Sequence, residues 1–163
     1  MFCKYGSLSI YGCYMANKEK ILIVDDVHKN INLASDILMA EGFSVYFANS
    51  GAQALNLAEN SLPRLILPDN NMPEMDGYEV CCRLKKIAKT QHIPVIFLTA
   101  YTSDEQISKG FEVGAVDYIT KPIKAKELIS RVNIHIQLQQ AIDDAEKARN
   151  EAEKARNEAE KAR

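Results

Sequence analysis

Residues 20–26 read Lys20-Ile21-Leu22-Ile23-Val24-Asp25-Asp26: four apolar residues in a row, closed abruptly by two carboxylates. Such a run suits a strand covered on both faces, as in a parallel sheet. The same kind of unit recurs. Phe43 to Ala48, Leu65 to Leu67, Ile93 to Leu98 and Val116 to Thr120 are further strand candidates. Helical patterns stand between them. Ile31, Ala34, Ile37 and Leu38 share one face of a helix over 31–38, and Gly42 stops it. Ala52 to Glu59 and residues 78–89 read as the next two helices. Ser103-Asp104-Glu105-Gln106 is a capping-box pattern that opens a fourth. A fifth starts near Lys124. The order is β-α five times, which is a three-layer α/β domain over residues 18–140.

Composition agrees with one domain and a tail. The chain has 163 residues, 47% apolar and 26% charged, the mix of a globular protein. Twenty Lys+Arg against 22 Asp+Glu leave a formal net charge of -2, which argues against a broad nucleic-acid footprint. No run of about 18 apolar residues is present, so no membrane span is expected. Cys3, Cys13, Cys81 and Cys82 form no metal-knuckle or C-x-x-C spacing. A reducing, cytoplasmic setting without a disulfide framework is the simpler reading. Cys81 and Cys82 are expected to divide between a buried and a boundary site. His28, His92 and His135 show no ligand spacing and read as surface or structural.

Residues 1–17 are expected to be a disordered extension, with Met15 a plausible true start. Residues 141–163 form a helical tail. AEKARNE occurs at 145–151 and again at 152–158. Ala145, Ala148, Ala152, Ala155, Ala159 and Ala162 follow 3-4 spacing, and the register reaches back to Leu138 and Ala141. Glu146–Arg149 and Glu153–Arg156 are candidate i,i+3 pairs. An alanine seam buries little, so a lone helix and a weakly paired coiled coil stand side by side. The end at Arg163, in mid-heptad, fits a fragment of a larger regulator, and a complete single-domain chain is the alternative.

Each strand ends in a polar signal. Asp25 and Asp26 follow Val24, Asp69 follows Leu67-Pro68, Thr99 follows Leu98, and Lys121 follows Thr120. In an open parallel sheet these ends share one edge, where ligands bind. Three carboxylates, a hydroxyl and an ammonium are therefore expected together. Three close carboxylates repel one another unless a cation is present. An all-oxygen donor set favours a hard cation, Mg²⁺ first. A carboxylate is already a nucleophile at neutral pH and needs no general base. Thr99 and Lys121 are suited to cradle phosphoryl oxygens.

Ile21 to Asp26, Pro63 to Gly77 (PRLILPDNNMPEMDG), Val95 to Ala100 and Gly114 to Pro122 together resemble two-component response-regulator receiver domains. The resemblance covers about residues 20–138. It implies a flavodoxin-like, doubly wound, five-stranded parallel sheet of order 2-1-3-4-5, here with a C-terminal helical extension. It implies that Asp69 accepts a phosphoryl group from a partner histidine kinase or phosphotransfer protein, with no enzymatic turnover beyond the domain's own phosphorylation and dephosphorylation. Asp26 would ligate Mg²⁺ directly and Asp25 largely through water, and Asn71 would offer its backbone carbonyl. Thr99 would donate to a phosphoryl oxygen. Lys121 would pair with the aspartate and its phosphate. Tyr118 stands at the aromatic switch position, and its inward turn would reshape the face formed by the fourth helix, fifth strand and fifth helix. The Lys121–Pro122 bond would be cis.

Four positions depart from the pattern. Pro68 precedes Asp69 and has no N–H to give a central strand, which either removes a hydrogen bond or displaces the Asp69 carboxylate. Arg64 stands where an acidic residue is common, at a site expected to be exposed and tolerant. Asn70 and Asn71 replace a more apolar pair; Asn71 and Tyr101 are placed to tune phosphoryl hydrolysis. Two rivals remain. A pseudo-receiver would keep the fold as a binding module without phosphorylation. A small phosphatase would turn over an aspartyl-phosphate, though the usual D-x-D pair is absent at Asp69-Asn70-Asn71. Asp25 and Asp26 also have a plain reading as a helix N-cap and its neighbour.

Overall fold

The structure is a computed structural model and describes residues 19–163. The extension expected at 1–17, with Cys3 and Cys13, lies outside the described residues. In chain order the elements are β1 (Lys20–Val24), α1 (His28–Ala40), β2 (Ser44–Ala48), α2 (Gly51–Ser61), β3 (Leu65–Pro68), α3 (Gly77–Lys86), β4 (Ile96–Thr99), α4 (Asp104–Glu112), β5 (Asp117–Thr120) and α5 (Ala125–Lys161). All strand pairs are parallel. Among the described residues no helix is long and apolar enough to cross a membrane.

The unbroken apolar runs have a direct cause. Successive side chains of a strand point to opposite faces, and here both faces are covered. Ile21, Ile23, Leu65, Leu67, Ile96 and Leu98 pack toward α1 and α5, against Ile31, Leu38, Leu128 and Val132. Leu22, Val24, Ile66, Val95 and Phe97 pack on the other side with Ala54 and Ala58 of α2 and Val80 and Leu84 of α3. Leu128, Val132 and Ile136 each contribute roughly 1.5–3 kcal/mol by holding α5 to the sheet.

The sheet is made of two ladders, β2-β1-β3 and β4-β5. Isolated parallel bridges at Ile66–Val95 and Asp69–Leu98 join β3 to β4. This is the expected strand sequence with its middle seam interrupted, and Pro68 explains the interruption. Ile66 N–H donates to Pro94 O at 3.0 Å, and Asn70 N–H to Leu98 O at 3.4 Å. Between them, alternation assigns the next donor toward β4 to residue 68, and proline has none. Asp69 is spared because its own N–H points the other way and donates to Val24 O at 2.8 Å. Of the two expected consequences of Pro68, the lost hydrogen bond occurs, and Asp69 keeps its backbone bond to β1.

Several boundaries differ from the sequence reading. The third helix stops at Lys86 rather than 89, because Ile87 is extended (φ -96°, ψ 124°). The fully buried Thr90 turns its hydroxyl back onto Leu84 O at 2.7 Å and closes the helix end. β4 begins at Ile96 rather than 93, after Pro94. The capping box of α4 is only half made. Ser103 accepts from Gln106 N–H, but the Gln106 side chain is engaged by the Tyr78 hydroxyl instead. Neither Asp25 nor Asp26 is the N-cap of α1; Val27 is, and Asp25 Oδ1 accepts the Val27 N–H at 2.9 Å. Gly42 ends α1 with φ 94°, a conformation costly for residues with a Cβ.

Arg64 corrects a plainer expectation. It is neither exposed nor unengaged: its side chain is 28% exposed and forms ion pairs with Glu19 (3.1 Å) and Asp143 (3.4 Å). It also donates to the Gln140 side chain. It thereby ties the start of β3 to α5 where that helix leaves the sheet. α5 continues without a break through residues 140–141 to Lys161. Of the tail's expected pairs, neither Glu146–Arg149 nor Glu153–Arg156 forms; Arg156 approaches Glu160 at 4.0 Å.

The Pro68 account is tested by Pro68→Ala. The new amide at residue 68 is expected to be strongly protected in hydrogen exchange, because Ile96 O is in line to accept it. Exchange at the rate of a loop amide would show that the seam is open for another reason.

Candidate functional site

The C-terminal ends of β1, β3, β4 and β5 bring the expected residues to one edge. Asp25 is fully buried and Asp69 is 6% exposed, while Asp26 faces solvent. One carboxylate oxygen from each of the three lies within 4.8 Å of the others. Lys121 Nζ stands 3.3 Å from Asp25 Oδ2 and 3.2 Å from Asp69 Oδ2. Its backbone is held to β4, where Lys121 N–H donates to Thr99 O at 2.8 Å. The Lys121–Pro122 bond is cis, as expected. Asn71 donates its N–H to Asp69 Oδ1 at 3.3 Å.

Burial pushes the Asp69 carboxyl above its usual range. Lys121 opposes the shift, Asp25 adds to it, and the Asn71 N–H opposes it. With all three aspartates ionised, a single ammonium leaves excess negative charge in a poorly solvated site. The donor set is all oxygen and hard, so it fits a small divalent cation and gives no foothold for a soft metal.

Thr99 is at the edge but not turned into the cluster. Its hydroxyl donates to Tyr101 O at 3.0 Å and accepts the Tyr101 N–H at 2.9 Å, closing a tight turn. Tyr118 is half-buried and meets Phe111 edge-on, with ring centres 6.2 Å apart. A narrow pocket lined by Asn70, Phe97, Thr99, Tyr101 and Tyr118 lies between these groups.

Three supports have no role that the sequence assigns. Gly77 opens α3 against the backbone of Asp69 and Asn70; a Cβ there would collide with Asp69 O and lie 3.0 Å from Asn70 Cα. Tyr78 receives a 3.4 Å contact from the Asn70 amide and donates to Gln106, with Oε1 at 3.0 Å. Asn70 Oδ1 is buried with no partner. At the far end of β5, Asp117 accepts from Arg131 (2.7 Å), His135 (2.9 Å) and the Tyr118 N–H (2.8 Å). Burial alone would raise the Asp117 carboxyl, but these bonds outweigh it and hold it below the usual range. His135 is thus structural, and the other two histidines take no part in the site. Cys81 is fully buried, which pushes its thiol up to about 11, and Cys82 is at the boundary; both are free.

These features belong to a known class. The response regulator receiver domain family matches residues 21–133, and the chain belongs to that family. Response regulator PleD of Caulobacter vibrioides is 41% identical over 125 residues, 77% of this chain and 28% of PleD. Histidine kinase P4 of Formosa agariphila is 42% identical over 115 residues, 71% of this chain and 8% of that protein. The chain therefore spans only a small part of either relative. A crystal structure of a response regulator from Chloroflexus aurantiacus superposes with a TM-score of 0.72 at 33% identity, covering 74% of this chain and 99% of that one.

The raised Asp69 carboxyl gives a signed pH dependence. The folded state binds this proton more tightly than the unfolded chain does. The carboxyl's penalty is therefore absent below its unfolded value near ~4 and complete above its folded value. In metal-free protein, Asp69→Asn is expected to melt higher than wild type at pH 7–8. The difference is expected to shrink toward zero as pH falls below about 4. A pH-independent difference would contradict this.

Proposed function

We propose that this chain is a working phosphoacceptor, which takes a phosphoryl group on Asp69 from a partner histidine kinase or phosphotransfer protein. One observation carries the reading: the Lys121 ammonium bridges buried Asp25 and Asp69 with Asp26 alongside, the charge layout that phosphoryl transfer to a carboxylate needs.

An Asp69 carboxylate oxygen attacks phosphorus, and the P–N bond of the donor phosphohistidine breaks. The leaving imidazole takes a proton from solvent, and an acyl phosphate remains on Asp69. Lys121 stays within reach of the growing negative charge and neutralises part of it. Asp25, Asp26, Asp69 and the Asn71 carbonyl would hold Mg²⁺, which would supply the positive charge that Lys121 alone does not. Thr99 must surrender its bond to Tyr101 O before its hydroxyl can serve a phosphoryl oxygen. Releasing that turn frees the 99–101 backbone, and Tyr118 borders the same pocket. The face of α4, β5 and α5 is thereby the surface biased by phosphorylation, a two-state element driven by local charge. A cytoplasmic location and an unidentified downstream protein partner belong to the same reading. Asp69 remaining tied to Val24 O favours this function over a pseudo-receiver, despite Pro68.

The test is intact mass after incubation with acetyl phosphate and Mg²⁺. One added phosphoryl group (~80 Da), absent without Mg²⁺ and absent in Asp69→Asn, is the expected result. An unchanged mass overturns the proposal. If Pro68→Leu then restores the gain, the fold is a receiver disabled beside its nucleophile. Steady phosphate release from phosphomonoesters would favour the phosphatase instead.

A further inference from the structure

α5 has two faces of opposite use. Leu128, Val132 and Ile136 are buried against the sheet, and Gln140 and Asp143 are held by Arg64. On the other side of the helix, Ile134 is 55% exposed and Leu138 54%. Ile134 and Leu138 are not isolated surface residues. They lie on the same stripe as Ala141, Ala145, Ala148, Ala152, Ala155, Ala159 and Ala162, all at 3-4 spacing. The stripe is about 40 Å long at 1.5 Å per residue. It points away from the domain, because the domain occupies the other side of the helix.

The charges flanking the stripe specify what covers it. With the stripe as the a and d positions, the e positions are His135, Ile142, Arg149, Arg156 and Arg163, and the g positions are Gln137, Asp144, Glu151 and Glu158. In a parallel pair, each g residue faces the e residue five places later on the other helix. The pairing nearest the domain, Gln137 with Ile142, is uncharged, and the three beyond it are all acid to base: Asp144 with Arg149, Glu151 with Arg156, Glu158 with Arg163. In an antiparallel pair, e meets e and g meets g, which sets arginine against arginine and acid against acid. Among the described residues, Arg149, Glu151, Glu158 and Arg163 make no ion pair within the chain, and the one ion pair within the tail itself is Arg156 with Glu160 at 4.0 Å, so these charges are available.

We propose that the outer face of α5, from Ile134 to Ala162, is a homodimerisation surface. A second copy of this chain pairs with it as a parallel, two-stranded coiled coil. Isoleucine and leucine anchor the end nearest the domain, and the alanine seam lets the helices approach closely beyond it. The two receiver domains then sit at the same end of the coil, on opposite sides of it, as two-fold symmetry requires. The interaction does not depend on Asp69.

Sedimentation equilibrium on the full chain tests this, with circular dichroism to confirm that every variant stays helical. Wild type is expected to rise from 18.3 kDa toward twice that mass at tens of micromolar. Asp144→Arg, Glu151→Arg and Glu158→Arg made together, and Arg149→Glu, Arg156→Glu and Arg163→Glu made together, are each expected to weaken self-association at least tenfold. An equimolar mixture of the two variants is expected to associate again. Ala162→Cys reads the orientation: a disulfide-linked dimer should form beyond the background set by the native cysteines. A monomer up to ~100 µM, charge variants that associate like wild type, or no added cross-link at 162 would each overturn the proposal.

Discussion

One ammonium stands among three carboxylates, and the rest of the domain is arranged around that imbalance. Lys121 reaches Asp25 and Asp69 at once, and no second cation of the chain joins them among the described residues. Left so, the site is short of positive charge, and burial makes the shortage costly at Asp69. A fold tolerates such a cluster only if its backbone holds the groups together regardless. Here four parallel strands do so. Their C-terminal ends deliver Asp25, Asp69, Thr99 and Lys121 to one edge, and the apolar layers on both faces keep the strands in register.

Pro68 shows which backbone bonds matter to the site. It breaks the β3–β4 seam one residue before Asp69, yet leaves Asp69 attached to β1. Alternation of strand donors is the reason: neighbouring residues send their N–H groups to opposite sides. The carboxylate geometry depends on the β1 side, which is intact, and on Gly77, whose lack of a Cβ lets α3 begin against the Asp69 carbonyl. The domain therefore carries a weakened middle seam beside a well-fixed acidic site. Thr99 lies on the β4 side of that seam, with its hydroxyl committed to Tyr101.

Much of this was legible in the sequence, for a physical reason. Burial on both sheet faces forces continuous apolar runs, so Ile21 to Val24 and Leu65 to Leu67 announce themselves as strands. Polar residues at the end of such runs have only the sheet edge to occupy, so the gathering of Asp25, Asp26, Asp69 and Lys121 at one edge was legible too. Long-range partnerships left no such trace. Arg64 looked like an exposed departure because its partners Gln140 and Asp143 lie on a helix far downstream. Ser103 to Gln106 looked like a full capping box, but the Tyr78 hydroxyl takes the Gln106 side chain, and nothing local reports that. Thr90 ends α3 early through a buried bond to Leu84 O, which periodicity over 78–89 does not reveal.

The central claim is that the Asp25, Asp26 and Asp69 cluster holds a divalent cation which Lys121 alone cannot replace. Titration calorimetry of Mg²⁺ into the full chain measures this directly, with Asp26→Asn alongside. Asp26 is the right group to change, because it is exposed and its loss leaves the buried pairs intact. The account predicts one saturable site in wild type and at least tenfold weaker binding in Asp26→Asn. No saturable binding, or equal binding by both proteins, would contradict it.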